Sequence, residues 1–104
     1  MEYTKNKLPV NFGMNALALF SADRGISMNE VFTMDFDKMN LLDTLSLLYS
    51  GVVDGARKAK VECKFSTLED FIDYAEENDG IVAELITIFA NQQKGKKGEE
   101  SKKK

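Results

Sequence analysis

Residues 37–60 limit the fold most, because they read as one long helix that is apolar on more than one side. Apolar residues recur there at spacings of three and four, which is the helical period: Leu42, Leu45, Tyr49, Val52 and Ala56. Leu41 and Leu48 widen the stripe, so this helix is expected to organise the core. Gly51 and Gly55 interrupt this stripe, and each glycine destabilises a helix by about 1 kcal/mol relative to alanine. They indicate either close approach of another helix or a kink.

Two helices are predicted upstream from their end signals. Gly25 follows an apolar stretch where a left-handed cap residue belongs, which predicts a first helix over residues 14–24. Ser27 then has Glu30 three positions later, the pattern of a capping box in which each side chain bonds the other residue's backbone N–H. This pattern predicts a short second helix over residues 28–33.

Two more helices are predicted downstream. Ser66 and Glu69 have the spacing of a second capping box, so a helix is expected to open at Ser66 and run to about residue 78. Residues 78–80, Asn-Asp-Gly, are a turn signal. A final apolar pattern then predicts a helix over residues 81–93.

These elements predict an all-α fold, a single small domain of about five helices over residues 13–93. Residues 1–12 lack helical periodicity and contain Pro9, so they are expected to form an extended N-terminal arm with at most one short edge strand. Residues 94–104 are rich in lysine and glycine and are expected to be a disordered, solvated tail.

The length and composition place the chain among small cytoplasmic proteins. A chain of 104 residues is sufficient for one domain. No apolar run approaches the roughly 18 to 20 residues that span a bilayer, so no membrane association is expected. The single cysteine, Cys63, excludes an internal disulfide and is typical of a reducing compartment.

The charge distribution argues against a nucleic-acid-binding domain. The tail holds six lysines and two glutamates, which leaves residues 1–93 with eight basic and 15 acidic residues. A duplex-binding surface needs lysine and arginine on the folded domain, because phosphate contacts dominate its affinity. Residues 17–34 could be read as a helix-turn-helix, yet its second helix carries neither residue. No specific nucleic acid is therefore expected as a partner.

Catalytic and metal-binding patterns are also missing from the sequence. The chain has no histidine and one cysteine, which excludes the usual zinc sites and histidine-activated nucleophiles. Asp35 and Asp37 begin like a calcium loop, but Met39 stands where an oxygen ligand belongs, so one of the two aspartates is better explained as a helix cap. The protein is expected to be non-enzymatic, with no cofactor and no metal.

Two sets of residues are candidates for contact with a protein partner. Methionine and phenylalanine side chains around the second helix could form an adaptable apolar surface: Met28, Phe32, Met34 and Phe36. Carboxylates three or four residues apart on the fourth helix could form an acidic one: Glu69, Asp73, Glu76 and Glu77. Each set has an ordinary explanation as well, the first as core filling and the second as a solvated helix face.

The succession of motifs resembles a known family. Residues 16–31 lie within NFGMNALALFSADRGISMNEVF, residues 47–58 within LLDTLSLLYSGVVDGARK, and residues 66–78 within FSTLEDFIDYAEEND, before a last apolar helix GIVAELITIFA. In this order they resemble the tail assembly chaperones of long-tailed bacteriophages and prophages. The resemblance covers about residues 10–92.

The resemblance implies a small, helical, non-enzymatic protein of the infected bacterial cytoplasm that is absent from the mature virion. Such chaperones are thought to coat the tape-measure protein and keep it soluble while tail-tube subunits assemble around it. Tape-measure and tail-tube proteins are therefore the expected partners, and self-association is left open. The family carries no catalytic motif to transfer.

A second reading belongs to another functional class. The acidic fourth helix could sequester a basic partner or mimic nucleic acid, which would make the chain a small regulatory protein. The salt dependence of partner binding separates the two readings, because salt screens electrostatic contacts and leaves apolar contacts largely intact.

Overall fold

The computed structural model describes residues 1–78 and 80–103, with side chains described as far as Gln93. Five α-helices lie in this part of the chain: α1, Met14–Arg24; α2, Met28–Thr33; α3, Leu41–Ala59; α4, Leu68–Glu77; and α5, Ile81–Lys103. Two short strands precede them: β1, Glu2–Tyr3, and β2, Pro9–Val10. The all-α fold class is confirmed, with the small strand pair added at the N-terminus.

The long helix α3 lies at the centre, as its apolar pattern predicted. It packs against α1, α4, α5 and β2. Its buried residues include Leu48 and Val52, which face the rest of the core. The helix spans Leu41–Ala59, the range expected for the central helix within the helical pattern of residues 37–60. Asn40 accepts a hydrogen bond from the Asp43 N–H and caps its first turn. The preceding segment is a single 3-10 turn, Phe36–Lys38, which Asp35 caps.

The first turn of α3 differs from its predicted place in the core. Leu41 and Leu42 are both exposed, although the periodic pattern assigned them to the buried stripe. Arg24, the last residue of α1, donates from Nε to Asp43 Oδ1 at 2.8 Å. The end of α1 therefore lies beside the first turn of α3.

The N-terminal arm is part of the core rather than an appendage. β1 and β2 pair antiparallel, with Glu2 opposite Val10 and Tyr3 opposite Pro9. The arm thus holds two strands, one more than the single edge strand expected. Val10 and Phe12 are buried, because β2 and the residues after it lie against α3.

The two glycines of α3 are the places where the arm approaches it. A Cβ atom added to Gly51 would lie 2.2 Å from Phe12 Cε1, and one added to Gly55 would lie 2.2 Å from the Pro9 carbonyl oxygen. The Asn11 N–H donates to the Gly51 carbonyl at 3.0 Å. The predicted close approach is therefore present, but it is the arm and not another helix that fills it, and α3 is continuous.

The cap signals were correct at one junction and displaced by one residue at the other. Gly25 adopts φ 66°, and the Ser27–Glu30 capping box is complete, with α1 and α2 bounded as predicted. At α4 the cap is Thr67, whose Oγ1 accepts from the Asp70 N–H at 3.1 Å, rather than Ser66. Phe71 of α4 is buried in the core.

The last helix begins at the predicted residue and ends later. α5 starts at Ile81 after Gly80, which has φ 89°, and continues to Lys103. The predicted end of this helix at Gln93 therefore lies before the end that the structure shows. Asp79, the middle residue of the predicted turn, lies outside the described residues.

Candidate protein-binding surfaces

The predicted apolar contact residues divide into two groups in the structure. Phe32 projects from α2 and is exposed. Met28, Met34 and Phe36 are half-buried and pack against the core. The Phe36 ring meets the Phe89 ring of α5 edge-on, with centroids 4.9 Å apart. These three residues therefore support the position of α2, and Phe32 is the member of the set that is most available to a partner.

Phe32 is one of three large apolar residues that are exposed between the start of α2 and the first turn of α3. Phe32, Leu41 and Leu42 expose 60%, 72% and 45% of their surface. We call these three residues the apolar corner. They occupy the segment that joins the end of α1 to the start of α3, which the Arg24–Asp43 ion pair holds together. The sequence pattern missed Leu41 and Leu42 because helical periodicity alone does not show which residues of a helix its neighbours cover.

Contacts with the core and with α1 hold the helices that carry the apolar corner in place. Val31 is buried and anchors α2 on the core, while the Ser27–Glu30 capping box fixes the start of that helix. On α3, the Ser46 hydroxyl donates to Asp23 Oδ2 at 2.6 Å, which adds a second polar tie between α1 and α3. A short helix that is capped and anchored in this way can keep an apolar side chain exposed.

The four predicted acidic residues are all exposed on α4. Glu69, Asp73, Glu76 and Glu77 share the exposed side of the helix, and Phe71 on the other side is buried. We call these four residues the acidic face. None of them has an ion-pair partner among the described side chains. The acidic face is therefore open to cations or to a basic partner.

A third surface, which the sequence did not predict, is a shallow groove between α1 and α3. It consists of two adjoining depressions of about 240 and 260 Å³, both lined by Leu19 and Val53. One depression extends to Asn15 and Arg57, and the other extends to Asp23. We call it the α1–α3 groove. Its sequence signal is the absence of charge from residue 14 to residue 22, where most residues of α1 are apolar.

Buried polar groups under the groove are fully bonded. Asp54 is buried, and its Oδ2 accepts from Asn11 Nδ2 at 2.8 Å. Its Oδ1 accepts from Arg57 Nε and Nη2 at 2.9 and 2.8 Å. Because each carboxylate oxygen is already occupied, Asp54 ties the arm to α3 and leaves the charge of Arg57 at the surface.

Tyr49 lies at the other end of the groove, and its hydroxyl acts as a hydrogen-bond donor. Its hydroxyl donates to the Phe65 carbonyl at 3.1 Å. Burial raises the pKa of Tyr49 above its ordinary value of 10.0, and the negative charges of Cys63, Asp70, Asp23 and Glu69, when ionised, raise it further. The phenol is therefore neutral across the physiological range and acts as a link between α3 and the segment before α4.

Among the described residues, no three histidine, cysteine or acidic side chains cluster closely enough to hold a metal ion. Cys63 is half-buried. Within the same residues, no helix combines the length and apolar character needed to cross a bilayer. The chain matches no family model, no curated protein and no solved structure.

Proposed function

We propose that this protein is a non-enzymatic tail assembly chaperone of a bacteriophage or prophage. In this role it binds the tape-measure protein in the bacterial cytoplasm and keeps it soluble while the tail tube assembles, and it is absent from the mature virion. The resemblance of residues 10–92 supplies the family. The observation that supports the proposal is the apolar corner, in which Phe32, Leu41 and Leu42 are each exposed along the segment that leads from α2 to the start of α3.

The apolar corner suits a chaperone because such a protein must cover apolar surface on a client without tight, slow binding. Burying one phenylalanine or leucine side chain contributes about 1.5–3 kcal/mol, so three of them give a modest affinity per site. Many such contacts along a long client add up to strong overall binding. The charged remainder of the surface keeps the complex soluble.

Co-expression tests this proposal. The client is the product of the very long, helix-patterned reading frame that we expect next to this gene. Wild-type protein should keep that product soluble, whereas Phe32→Ser should weaken binding at least about tenfold, because 1.4 kcal/mol corresponds to a factor of ten. The substitution should leave the free energy of unfolding within about 0.5 kcal/mol, because Phe32 is exposed.

Ile86→Ser is the matched control. Ile86 is also an exposed apolar residue of a helix, but it lies on α5 and not in the apolar corner. It should bind the client as the wild type does. Failure of the wild-type protein to solubilise the client, or equal losses from both substitutions, would contradict the proposal.

The acidic face supports a second candidate, a small regulatory protein that sequesters a basic partner or mimics nucleic acid. Its four carboxylates lie on one exposed side of α4 without ion-pair partners among the described side chains. Raising the salt from about 0.1 M to about 1 M shortens the Debye length from roughly 10 to 3 Å. Client binding through the apolar corner should survive this change, and binding through the acidic face should be lost.

A further inference from the structure

We propose that the α1–α3 groove binds a lysine side chain of a protein partner, with the lysine ammonium held at Asp23. This inference does not depend on the proposed function, because it concerns the groove and not the apolar corner. It rests on the hydrogen bonds of the residues that line one of the two depressions of the groove.

The site is the depression of about 260 Å³ that extends to Asp23. Leu19 of α1 and Val53 of α3 are its apolar side chains. The rest of its lining is polar: Asp23, Ser46, Tyr49 and Ser50. One water molecule occupies about 30 Å³, so the depression has room for a side chain of several non-hydrogen atoms.

Helical spacing brings these residues to one place. Leu19 and Asp23 are four residues apart in α1, and Ser46, Ser50 and Val53 follow one another at spacings of four and three in α3. Residues at such spacings share one side of a helix. The hydrogen bond from the Ser46 hydroxyl to Asp23 Oδ2 joins the two sides at 2.6 Å.

Every hydroxyl proton in this lining is already used within the protein. The Ser46 hydroxyl donates to Asp23, and the Ser50 hydroxyl donates to the Ser46 carbonyl at 3.0 Å. The Tyr49 hydroxyl donates to the Phe65 carbonyl. A hydroxyl has one proton and two lone pairs, so these side chains can still accept hydrogen bonds but have no proton left to donate.

Asp23 adds a negative charge that is not neutralised by an ion pair with any described side chain. Ser46 bonds only its Oδ2, whereas a carboxylate can accept about four hydrogen bonds. No described residue that lines this depression is lysine or arginine. Arg57, whose charge is paired with Asp54, lines only the other depression.

This set of groups selects a cation that donates hydrogen bonds. A phosphate or a carboxylate would find no side-chain donor here and would be repelled by Asp23. A primary ammonium carries a positive charge and three N–H donors, and its hydrogen bonds to a carboxylate are of the strong, charge-assisted kind. The donors of an arginine lie in one plane and suit a single carboxylate, whereas the acceptors here belong to two helices.

A lysine of a protein fits this depression better than a free amine does. A small ligand is normally buried over 70–90% of its surface, but this groove is shallow and Leu19 on its wall is exposed to 43%. A side chain that is attached to a partner does not need to be enclosed, because the partner covers it. The methylene groups of lysine lie readily along apolar side chains while the ammonium reaches a polar group. Leu19 and Val53 provide that apolar path.

An NMR titration of the full chain tests the site. The probe is Nα-acetyl-lysine methylamide, which should shift the amide signals of the lining residues of α1 and α3 saturably, with a Kd on the order of millimolar. The same probe acetylated at Nε should cause no such shifts, because acetylation removes the charge. Nα-acetyl-arginine methylamide and n-butylammonium should bind no more tightly than the lysine probe.

Asp23→Asn should raise the Kd of the lysine probe about threefold to fivefold, the scale of an ion pair at a partly exposed site. Asp37→Asn is the matched control, because it removes the same charge from an exposed aspartate outside the groove, and it should bind as the wild type does. Far-ultraviolet circular dichroism verifies that both variants stay folded.

Three results would overturn the proposal. The first is the absence of saturable shifts in the groove of the wild type, and the second is an equal loss of binding from Asp23→Asn and Asp37→Asn. The third is tighter binding of the arginine probe or of n-butylammonium than of the lysine probe, which would assign the depression to another ligand.

Discussion

Thr67 shows how a single cap is chosen between two suitable neighbours. Ser66 and Thr67 can both accept a hydrogen bond from the first turn of α4, and Ser66 has a glutamate at the better spacing for a capping box. Thr67 is nevertheless the cap, since its Oγ1 accepts from the Asp70 N–H. The spacing of a capping box therefore does not by itself decide which of two neighbouring residues caps a helix.

We therefore expect different outcomes from two adjacent alanine substitutions. Thr67→Ala should lower the free energy of unfolding by about 1 kcal/mol, because the Asp70 N–H loses its acceptor. Ser66→Ala should change it by no more than about 0.5 kcal/mol, since Ser66 is exposed and caps nothing. Urea denaturation measures both. A larger effect from Ser66→Ala would show that the cap assignment is wrong.

Tyr49 gives the protein a pH dependence on the alkaline side. Burial, with negative charges nearby, raises its pKa in the folded state above the ordinary value of 10.0 that the unfolded chain should have. The folded state therefore holds the phenolic proton more tightly. The stabilisation from Tyr49 is complete below pH 10 and is lost as the pH rises through the folded-state pKa.

The free energy of unfolding should thus fall more steeply above pH 10 in the wild type than in Tyr49→Phe. Denaturant titrations at a series of alkaline pH values measure the two slopes. Tyr3→Phe is the control, because Tyr3 is exposed, and it should keep the slope of the wild type. Equal slopes in the wild type and Tyr49→Phe would contradict the expected shift.

At the scale of elements, the contact between the arm and α3 is the packing that tolerates least change. Gly51 has Phe12 against it, and Gly55 has the backbone of Pro9. A ring can rotate away from an added methyl group, but a backbone carbonyl can move only if the whole arm moves. The two glycines therefore differ in how much substitution they allow.

Alanine at these two sites tests that contact. Overpacking by the added methyl group should lower the free energy of unfolding by about 1–3 kcal/mol. The higher helix propensity of alanine should raise it by about 1 kcal/mol. We expect both variants to be less stable in urea denaturation, with Gly55→Ala the worse of the two. Phe12→Leu combined with Gly51→Ala should recover part of the loss, because the smaller side chain leaves room. No recovery would mean that Phe12 is not what limits residue 51.

The same contact explains which elements the sequence could predict. α1 and α2 have their caps within a few residues of their ends, so Gly25, Ser27 and Glu30 sufficed to bound them. The position of the arm on the helices depends on partners that are distant in sequence: Phe12 donates its N–H to Gln92 Oε1 at 2.7 Å, 80 positions away. No local pattern contains that information, so the arm could be predicted only as extended.

At the scale of the whole molecule, the candidate surfaces were predictable only in part. Phe32 and the acidic face follow from residue type and helical spacing. Leu41 and Leu42 have the pattern of core residues, yet both are exposed. The exposure of Leu19 could not be predicted either, because a mainly apolar helix can have neighbouring elements on two sides or on one. The exposure of a residue depends on how all the helices and the arm pack together, and the sequence pattern of one helix does not specify that packing.

The contact of the arm with α5 also sets an order of events during synthesis. The arm leaves the ribosome before the helices of the domain, but its partner Gln92 is among the last residues of the domain to be made. Lys5, which donates its backbone N–H to Glu84 Oε2 at 2.7 Å, must wait nearly as long. The arm can therefore reach its native position only when translation of the domain is almost complete. Until then Val10 and Phe12 lack part of their cover, and the nascent chain itself exposes apolar surface.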